Sequence, residues 1–192
     1  MTPFMPNAPQ GNQPSTALRT DLLLAALLVG LGVGARLLPL TSNVAPIAAS
    51  ALFAGTMLRH RPLALMVPVA AMLLSDLVIG FDDWRIMSVV YAALALPAAA
   101  GFLARRYRLS LVVVPTMLSC SLMFFATTNF AVWAFSGLYS LDMAGLIQCY
   151  VAALPFLKYT VAGDLLWTAV LFGGAWLAQR RSARAHVTAA AG

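Results

Sequence analysis

The chain has 192 residues, of which 61% are hydrophobic and 9% are charged, and its formal net charge is +6. Soluble domains have about half apolar and about a quarter charged residues, so this composition excludes a water-soluble fold and predicts one domain embedded in lipid. The basic residues stand in short clusters between apolar runs and do not form a contiguous patch, which argues against nucleic-acid binding.

Three regions follow from the distribution of polar residues. Residues 1–18 are rich in Pro, Asn and Gln and carry no charge, which predicts a disordered cytoplasmic tail. They lack a basic region followed by an apolar stretch, so they do not resemble a secretory signal. Residues 19–180 form the predicted transmembrane domain, and residues 181–192 form a basic cytoplasmic tail.

Six apolar segments predict an all-α integral membrane fold, a bundle of six transmembrane helices, at about 20 residues per span. The predicted spans are 22–40, 45–58, 63–79, 86–104, 109–130 and 156–178. The second span is short for a full crossing and rich in small residues, which is consistent with little tilt or a partly re-entrant segment.

The basic residues predict the orientation of the bundle. Nine of them precede the first span or follow an even-numbered span, whereas the opposite loops contain only Arg85. The nine are Arg19, Arg59, Arg61, Arg105, Arg106, Arg108, Arg180, Arg181 and Arg184. Because short cytoplasmic loops are enriched in Lys and Arg, we expect both termini to lie in the cytoplasm.

The longest external connection is segment 136–155, between spans 5 and 6. Its apolar residues recur at helical spacing, at Leu141, Ala144, Ile147, Tyr150 and Val151. This periodicity favours a short amphipathic helix lying over the outer face of the bundle. A plain loop is the alternative.

Polar side chains inside the spans are candidates for function, since a charge at mid-membrane costs about 2.5–3.5 kcal/mol. Under the predicted orientation they all lie in the outer half: Arg36, Asn43, Asp76, Asn129, Lys158 and Asp164. We expect Arg36 to pair with Asp76 or with Asp164, and such pairs either lock helices together or contact a ligand. The Lys158 side chain can instead extend outward to the interface.

Aromatic residues crowd the same side of the bundle, among them Phe81, Trp133 and Tyr139. Aromatic belts at membrane interfaces are ordinary anchors. Together with the charged residues, beneath a helix that covers them, they also describe an outward-facing cavity for a small amphipathic ligand.

Two further patterns concern packing and chemistry. Ala26, Gly30 and Gly34 recur at four-residue intervals, a spacing that allows another helix to approach closely. Cys120 and Cys149 are predicted to be buried free thiols. The chain contains no Glu and no nucleophile, metal or phosphate-binding motif, so we expect neither an enzyme nor a bound cofactor or metal.

An ordered set of short motifs covers most of residues 33–175. They are RLLP at 36–39, NVAPI at 43–47, ALFAG at 51–55, LSDL at 74–77, GF at 80–81, FF at 124–125, TNFAVW at 128–133, PF at 155–156 and GDL at 163–165. This set resembles the S components, the substrate-binding subunits of bacterial energy-coupling factor vitamin transporters.

The resemblance implies a six-helix protein of the bacterial inner membrane with an outward-facing vitamin site. Candidate ligand contacts are Arg36, Asn43, Asp76, Phe81, Asn129, Trp133, Tyr139, Cys149 and Asp164. It also implies that the first helix meets a transmembrane coupling subunit driven by ATPases, here through Ala26, Gly30 and Gly34, which departs from the usual alanine pair.

The solitary cobalamin-type S components are the nearest resemblance, and they imply a corrinoid as substrate. Cys149 is then a candidate ligand of the corrinoid cobalt, with a packed thiol as the alternative. Two other functions remain open on the sequence alone. One is a stand-alone channel or secondary carrier that uses Asp76 and Asp164, and the other is a membrane scaffold without a transport role.

Overall fold

The fold is known from a computed structural model that describes residues 13–38 and 44–191, and the described part is entirely helical. The helices are α1 Gln13–Leu37, α2 Ile47–Met57, α3 Arg61–Ile79, α4 Trp84–Ala104, α5 Leu109–Phe135 and α6 Met143–Ala191. Helix α1 begins within the segment predicted as a tail, while residues 1–12 lie outside the described residues. The prediction of an all-helical bundle is confirmed for the described chain.

Five of the helices are long and apolar enough to cross a membrane, which indicates a multi-pass membrane protein. The exception is α2, with 11 residues. At 1.5 Å per residue it is only about 16 Å long, roughly half the thickness of a bilayer core. Six full crossings are therefore not supported, because the second apolar segment forms only a short helix.

Helix α2 lies in the centre of the bundle, where it contacts all five other helices. Every residue from Ile47 to Thr56 is buried, and small side chains permit this packing. At the crossing of α2 and α4, a Cβ added to Gly55 would lie 2.2 Å from the Ala98 carbonyl oxygen. A Cβ added to Gly101 would lie 2.8 Å from the Gly55 backbone. These two glycines set the distance between the helices.

The basic end of the bundle, where the connections 58–60 and 105–108 lie, is joined by charged hydrogen bonds. Asp21 Oδ2 of α1 accepts the backbone N–H groups of Arg59 and His60 at 2.8 and 3.0 Å. Arg105 donates its Nε–H to the Gly55 carbonyl at 2.7 Å and a second N–H to that of Leu58. Arg105 thus provides donors for carbonyls at the C-terminus of α2, which a helix leaves without intrahelical partners.

Helix α2 occupies only the half of the bundle next to the basic end. The chain just before it is joined to the middle of α6, where Trp167 Nε1 donates to the Val44 carbonyl at 2.7 Å. Further along, the Phe53 and Phe172 rings meet edge to face, with their centroids 5.1 Å apart. Beyond the N-terminal end of α2, the centre of the bundle is therefore not filled by this helix. We refer to that side as the cavity end.

The predicted separate helix over the outer face is not confirmed by the described residues. Residues from Met143 onward are helical, but they are the first turns of α6, which continues through Pro155. The face that packs on the bundle is also different from the predicted one. It contains Gly145, Cys149 and Ala153, whereas Ile147 and Val151 are exposed.

Candidate functional site

A cavity of about 580 Å³ lies at the cavity end, and all six helices contribute to its wall. Residues Ile47 and Ala48, in the first turn of α2, lie at its floor, in line with the unfilled space above that helix. Its polar lining side chains are Arg36, Thr128, Asn129, Thr160 and Asp164. The volume is within the range of roughly 300–1,000 Å³ that is usual for small-molecule sites.

One side of the site holds an ion pair with a buried carboxylate, and the bonds of this carboxylate join three helices. Arg36 Nη2 of α1 lies 2.8 Å from Asp76 Oδ1 of α3. The Tyr91 hydroxyl of α4 donates to Asp76 Oδ2 at 2.6 Å, so both carboxylate oxygens are occupied. A second guanidinium nitrogen lies 2.7 Å from Met72 Sδ. Of the two pairings open to Arg36, the structure has the one with Asp76.

Asp76 itself is 2% exposed and does not line the cavity, whereas the Arg36 guanidinium does. Met72 and Asp76 are four residues apart on α3 and share one face, which places both within reach of the Arg36 guanidinium. Asp76 therefore affects the site through Arg36, because it fixes the position of the guanidinium and balances its charge.

Asp164 stands on the opposite wall, on α6, and is 5% exposed. Its Oδ2 accepts the Ser121 hydroxyl of α5 at 2.6 Å. Among the side chains that the structure describes, none from Lys, Arg or His forms an ion pair with it. Asp164 is thus a buried carboxyl group in the cavity wall whose charge no described side chain balances.

Asn129 also lines the cavity, and its amide nitrogen donates to the Phe125 carbonyl of its own helix at 2.7 Å. Thr128 and Thr160 do the same with their hydroxyls, toward Phe124 and Phe156 at 2.8 and 3.2 Å. These bonds use the hydroxyl donors of both threonines and one of the two N–H groups of Asn129, and the three side-chain oxygen atoms can still accept hydrogen bonds.

Several predicted contacts lie away from the cavity. Trp133 Nε1 donates to the Ser140 carbonyl at 2.9 Å, and Phe81 is exposed. Tyr139 is half-buried in the 136–142 connection and does not line the cavity. Asn43 lies outside the described residues. Lys158 is exposed, with its Nζ 4.9 Å from the centroid of the Tyr159 ring.

Cys149 is 2% exposed and packs against α5, where its Sγ lies 3.4 Å from the Asn129 carbonyl oxygen. It is not part of the cavity wall. This position corresponds to a packed thiol. Cys120 is buried as well. In the described part of the chain, no three His, Cys, Asp or Glu side chains form a group that could hold a metal ion.

The predicted small-residue stripe on α1 faces away from the bundle. Ala26 and Gly30 are exposed and Gly34 is half-buried. A Cβ added to Gly30 or Gly34 would have no described atom within 4 Å. The glycine of α1 that faces inward is Gly32, where an added Cβ would lie 3.0 Å from Ala71 Cβ.

The sequence analysis placed four hydroxyl and aromatic residues of the cavity wall within motifs but did not name them, or Thr160, as candidate contacts: Phe124, Phe125, Thr128 and Phe156. Their spacing carries a signal. Phe124 and Thr128 are four residues apart, as are Thr160 and Asp164, so each pair lies on one helical face. Polar residues at this interval next to a membrane carboxylate would have indicated the cavity wall.

A scan of protein-family models matches residues 16–187 to DUF6580, described as a family of unknown function. No curated protein and no solved structure matches the chain.

Proposed function

The chain belongs to DUF6580, a family of unknown function, and we propose that it is a membrane receptor that captures a small amphipathic molecule in the cavity between its helices. The observation that carries this proposal is the cavity of about 580 Å³ that contains both Arg36 and Asp164 in an otherwise largely apolar wall. Ionisable groups inside a membrane protein are expensive and mark ligand or ion sites by default.

Substrate would enter from the extracytoplasmic side. Arg59, Arg105 and Arg106 lie at the basic end, opposite the cavity, and basic loops face the cytoplasm in most membrane proteins. This orientation points the cavity outward, with both termini in the cytoplasm, and a bacterial inner membrane is its natural location. Arg36, Asn129 and Asp164 then provide the polar contacts.

Delivery of the substrate would depend on a partner, in the manner of an S component with its coupling subunit and ATPases. The exposed stripe of Ala26, Gly30 and Gly34 supports this part of the proposal, since no other helix of the described chain covers it. Small residues on a lipid-facing surface let a partner helix approach closely.

For the substrate, a vitamin-like molecule of drug size fits the cavity better than a complete corrinoid. Cavities of roughly 300–1,000 Å³ are typical of drug-sized ligands, and a cobalamin with its nucleotide loop is larger than these. The candidate ligand of a corrinoid cobalt, Cys149, is packed between α5 and α6 and does not line the cavity, which favours the alternative of a packed thiol.

A stand-alone carrier that relays ions between Asp76 and Asp164 is the second candidate. Both carboxyl groups lie in the membrane, which favours it, but Asp76 is already bonded to Arg36 and Tyr91. Reconstituted liposomes distinguish the two candidates. A carrier moves substrate or protons without a partner, whereas a capture subunit binds substrate and moves nothing alone.

The direct test is native mass spectrometry of the purified protein, which identifies a bound small molecule, followed by thermal unfolding with that molecule added. A ligand that binds only the folded state stabilises it by about 2.7 kcal/mol at a hundredfold excess over Kd. Leu157→Trp, which fills the cavity, should abolish both the bound species and the stabilisation.

The matched control is Leu154→Trp, the same change one turn earlier on the same helix. Leu154 is 52% exposed on the outer surface of α6, so ligand binding should be unchanged. Equal retention of ligand by both variants would place the binding site elsewhere. A scaffold would show no bound molecule and no stabilisation by any compound.

A further inference from the structure

We infer that the ligand of this cavity is a small organic cation, a protonated amine with an apolar body, whose ammonium group binds at Asp164. This inference rests on the proposed capture function and specifies the substrate class of the same cavity. Three independent features of the described cavity lead to it, namely its charge balance, its hydrogen-bonding groups and its walls.

The ionisable side chains of the site include one carboxyl group without a counter-charge among the described residues. Arg36 is 2.8 Å from Asp76, and the two charges cancel. Asp164 is 5% exposed, and no described cationic side chain forms an ion pair with it. A buried carboxyl group without a counter-charge is costly, so it is neutralised by a proton or by a cation from outside the chain. A cationic ligand would supply the missing charge.

Apart from Arg36 and the second amide N–H of Asn129, the hydrogen-bonding side chains of the described cavity wall offer acceptors. The Thr128 and Thr160 hydroxyls already donate to carbonyls of their own helices. From the described residues Asp164 receives one bond, from Ser121 to its Oδ2, and this leaves its Oδ1 without a donor among them. An ammonium group has three donors and no acceptor. It therefore matches a carboxylate flanked by hydroxyl oxygens better than a carboxylate or a phosphate would.

The remaining wall determines the body of the ligand. Aromatic side chains line the cavity at Phe124, Phe125 and Phe156, and most of the other lining residues are aliphatic. A bare metal cation would leave this apolar volume of about 580 Å³ unfilled. An amine with an aromatic or aliphatic body fills it and can also place its charge close to an aromatic face.

The test uses three probes that share a phenylethyl-sized body and differ in charge. They are 2-phenylethylamine, 2-phenylethanol and phenylacetate, each titrated against the full-length protein in detergent by thermal unfolding. The expected result is that the amine raises Tm more than the alcohol does, while phenylacetate has the smallest effect. Equal or greater stabilisation by the alcohol or by phenylacetate would overturn the inference.

Asp164→Asn tests the ammonium contact itself. Because a hydrogen bond to a charged group contributes strongly to binding, loss of this contact should weaken the affinity for the amine by about tenfold or more. Binding of 2-phenylethanol should be unchanged, and this shows that the variant is folded. Asp82→Asn is the matched control, because Asp82 is an exposed loop carboxylate at the same end of the bundle, and it should leave the binding of all probes unchanged.

The outcomes separate this inference from the proposed function. If the alcohol or phenylacetate stabilises the protein as much as the amine or more, and Leu157→Trp abolishes that stabilisation, the capture function stands and the amine class is wrong. If a native ligand co-purifies and it is neutral or anionic, the result is the same. If none of the probes stabilises the protein, the amine class is again wrong, and the co-purification experiment decides the capture function by itself.

Discussion

Two buried carboxyl groups of this bundle differ in how the protein balances their charge. Asp76 is bonded to Arg36 and to the Tyr91 hydroxyl, which occupy both of its oxygens. Among the side chains that the structure describes, Asp164 has only the Ser121 hydroxyl as a partner. Removing one partner of a buried ion pair leaves an uncompensated charge, whereas removing an isolated buried charge takes away a desolvation cost. The two positions should therefore respond in opposite directions to the same substitution.

Asp76→Asn should lower the free energy of unfolding by about 3 kcal/mol, because it leaves the Arg36 guanidinium without its counter-charge. Asp164→Asn should leave the stability unchanged or raise it in the absence of ligand. Thermal unfolding followed by Trp fluorescence, in one detergent at neutral pH, measures both. A comparable loss of Tm in the two variants would mean that Asp164 has a cationic partner in the folded protein.

Among the elements, α2 is unusual because it is short and is buried on every side. Its packing depends on Gly55, where an added Cβ would lie 2.2 Å from the Ala98 carbonyl oxygen of α4. Backbone atoms at this distance cannot move aside without separating the two helices. The short length of α2 also creates the cavity. The first turn of α2 forms the cavity floor, and the space beyond its N-terminus is not filled by this helix.

Gly55→Ala should destabilise the bundle by more than about 3 kcal/mol, at the upper end of overpacking effects, since the obstructing atom belongs to the backbone. Gly30→Ala is the matched control. An added Cβ at Gly30 meets no described atom within 4 Å, so this change should be neutral or stabilise α1 by up to about 1 kcal/mol. Yield of folded protein and Tm measure both, and equal behaviour would contradict the close α2–α4 crossing.

The start of α6 depends on Asp142. Its Oδ1 accepts the backbone N–H of Gly145 at 2.7 Å and the Ser140 hydroxyl at 2.9 Å. These bonds, the Gly145 amide first, hold the pKa of Asp142 below the usual value of an aspartate. A lowered pKa in the folded state means that the ionised form stabilises the fold, in the manner of a helix N-cap.

The Asp142 contribution should therefore be complete at neutral pH and should be lost as the pH falls through the lowered pKa. Asp142→Ala removes it at every pH. We expect hydrogen exchange or limited proteolysis to show a less protected α6 N-terminus in the variant at neutral pH, with a difference from the wild type that shrinks on acidification. A difference that is independent of pH would exclude the ionised cap.

On the scale of the whole molecule, the two ends of the bundle differ in charge and in packing. The basic end is closed by α2 and by the hydrogen bonds of Asp21 and Arg105. The cavity end contains the Arg36–Asp76 pair and Asp164 around an unfilled volume. This asymmetry favours a receptor open on one side over a continuous pore.

The orientation can be measured with introduced cysteines, because Cys120 and Cys149 are buried in the folded protein. Asp82→Cys at the cavity end should react with a membrane-impermeant maleimide added outside intact cells. Arg106→Cys at the basic end should react only after the membrane is opened. The reverse pattern would place the cavity on the cytoplasmic side and would contradict capture from outside.

The sequence by itself determined the helical class, the six apolar segments that form helices and most of their limits. Apolar runs separated by charges specify helices in lipid, because every backbone polar group must be bonded within its own segment. The predicted span 63–79 starts two residues after α3 starts and ends at the same residue. The predicted span 86–104 agrees with α4 in the same way. The sequence also placed Arg36, Asn129 and Asp164 in the same half of the bundle, and all three line one cavity.

Only the tertiary structure decided which faces pack and where the cavity lies. In lipid, large apolar side chains can face outward, so hydrophobic periodicity no longer marks the buried side of a helix. The small-residue face of Gly145, Cys149 and Ala153 packs inward, and the apolar face with Ile147 and Val151 is exposed. Likewise, Arg36 pairs with Asp76 and not with Asp164 because of how several helices pack together. The same packing leaves the space beyond the N-terminus of α2, and local sequence does not encode it.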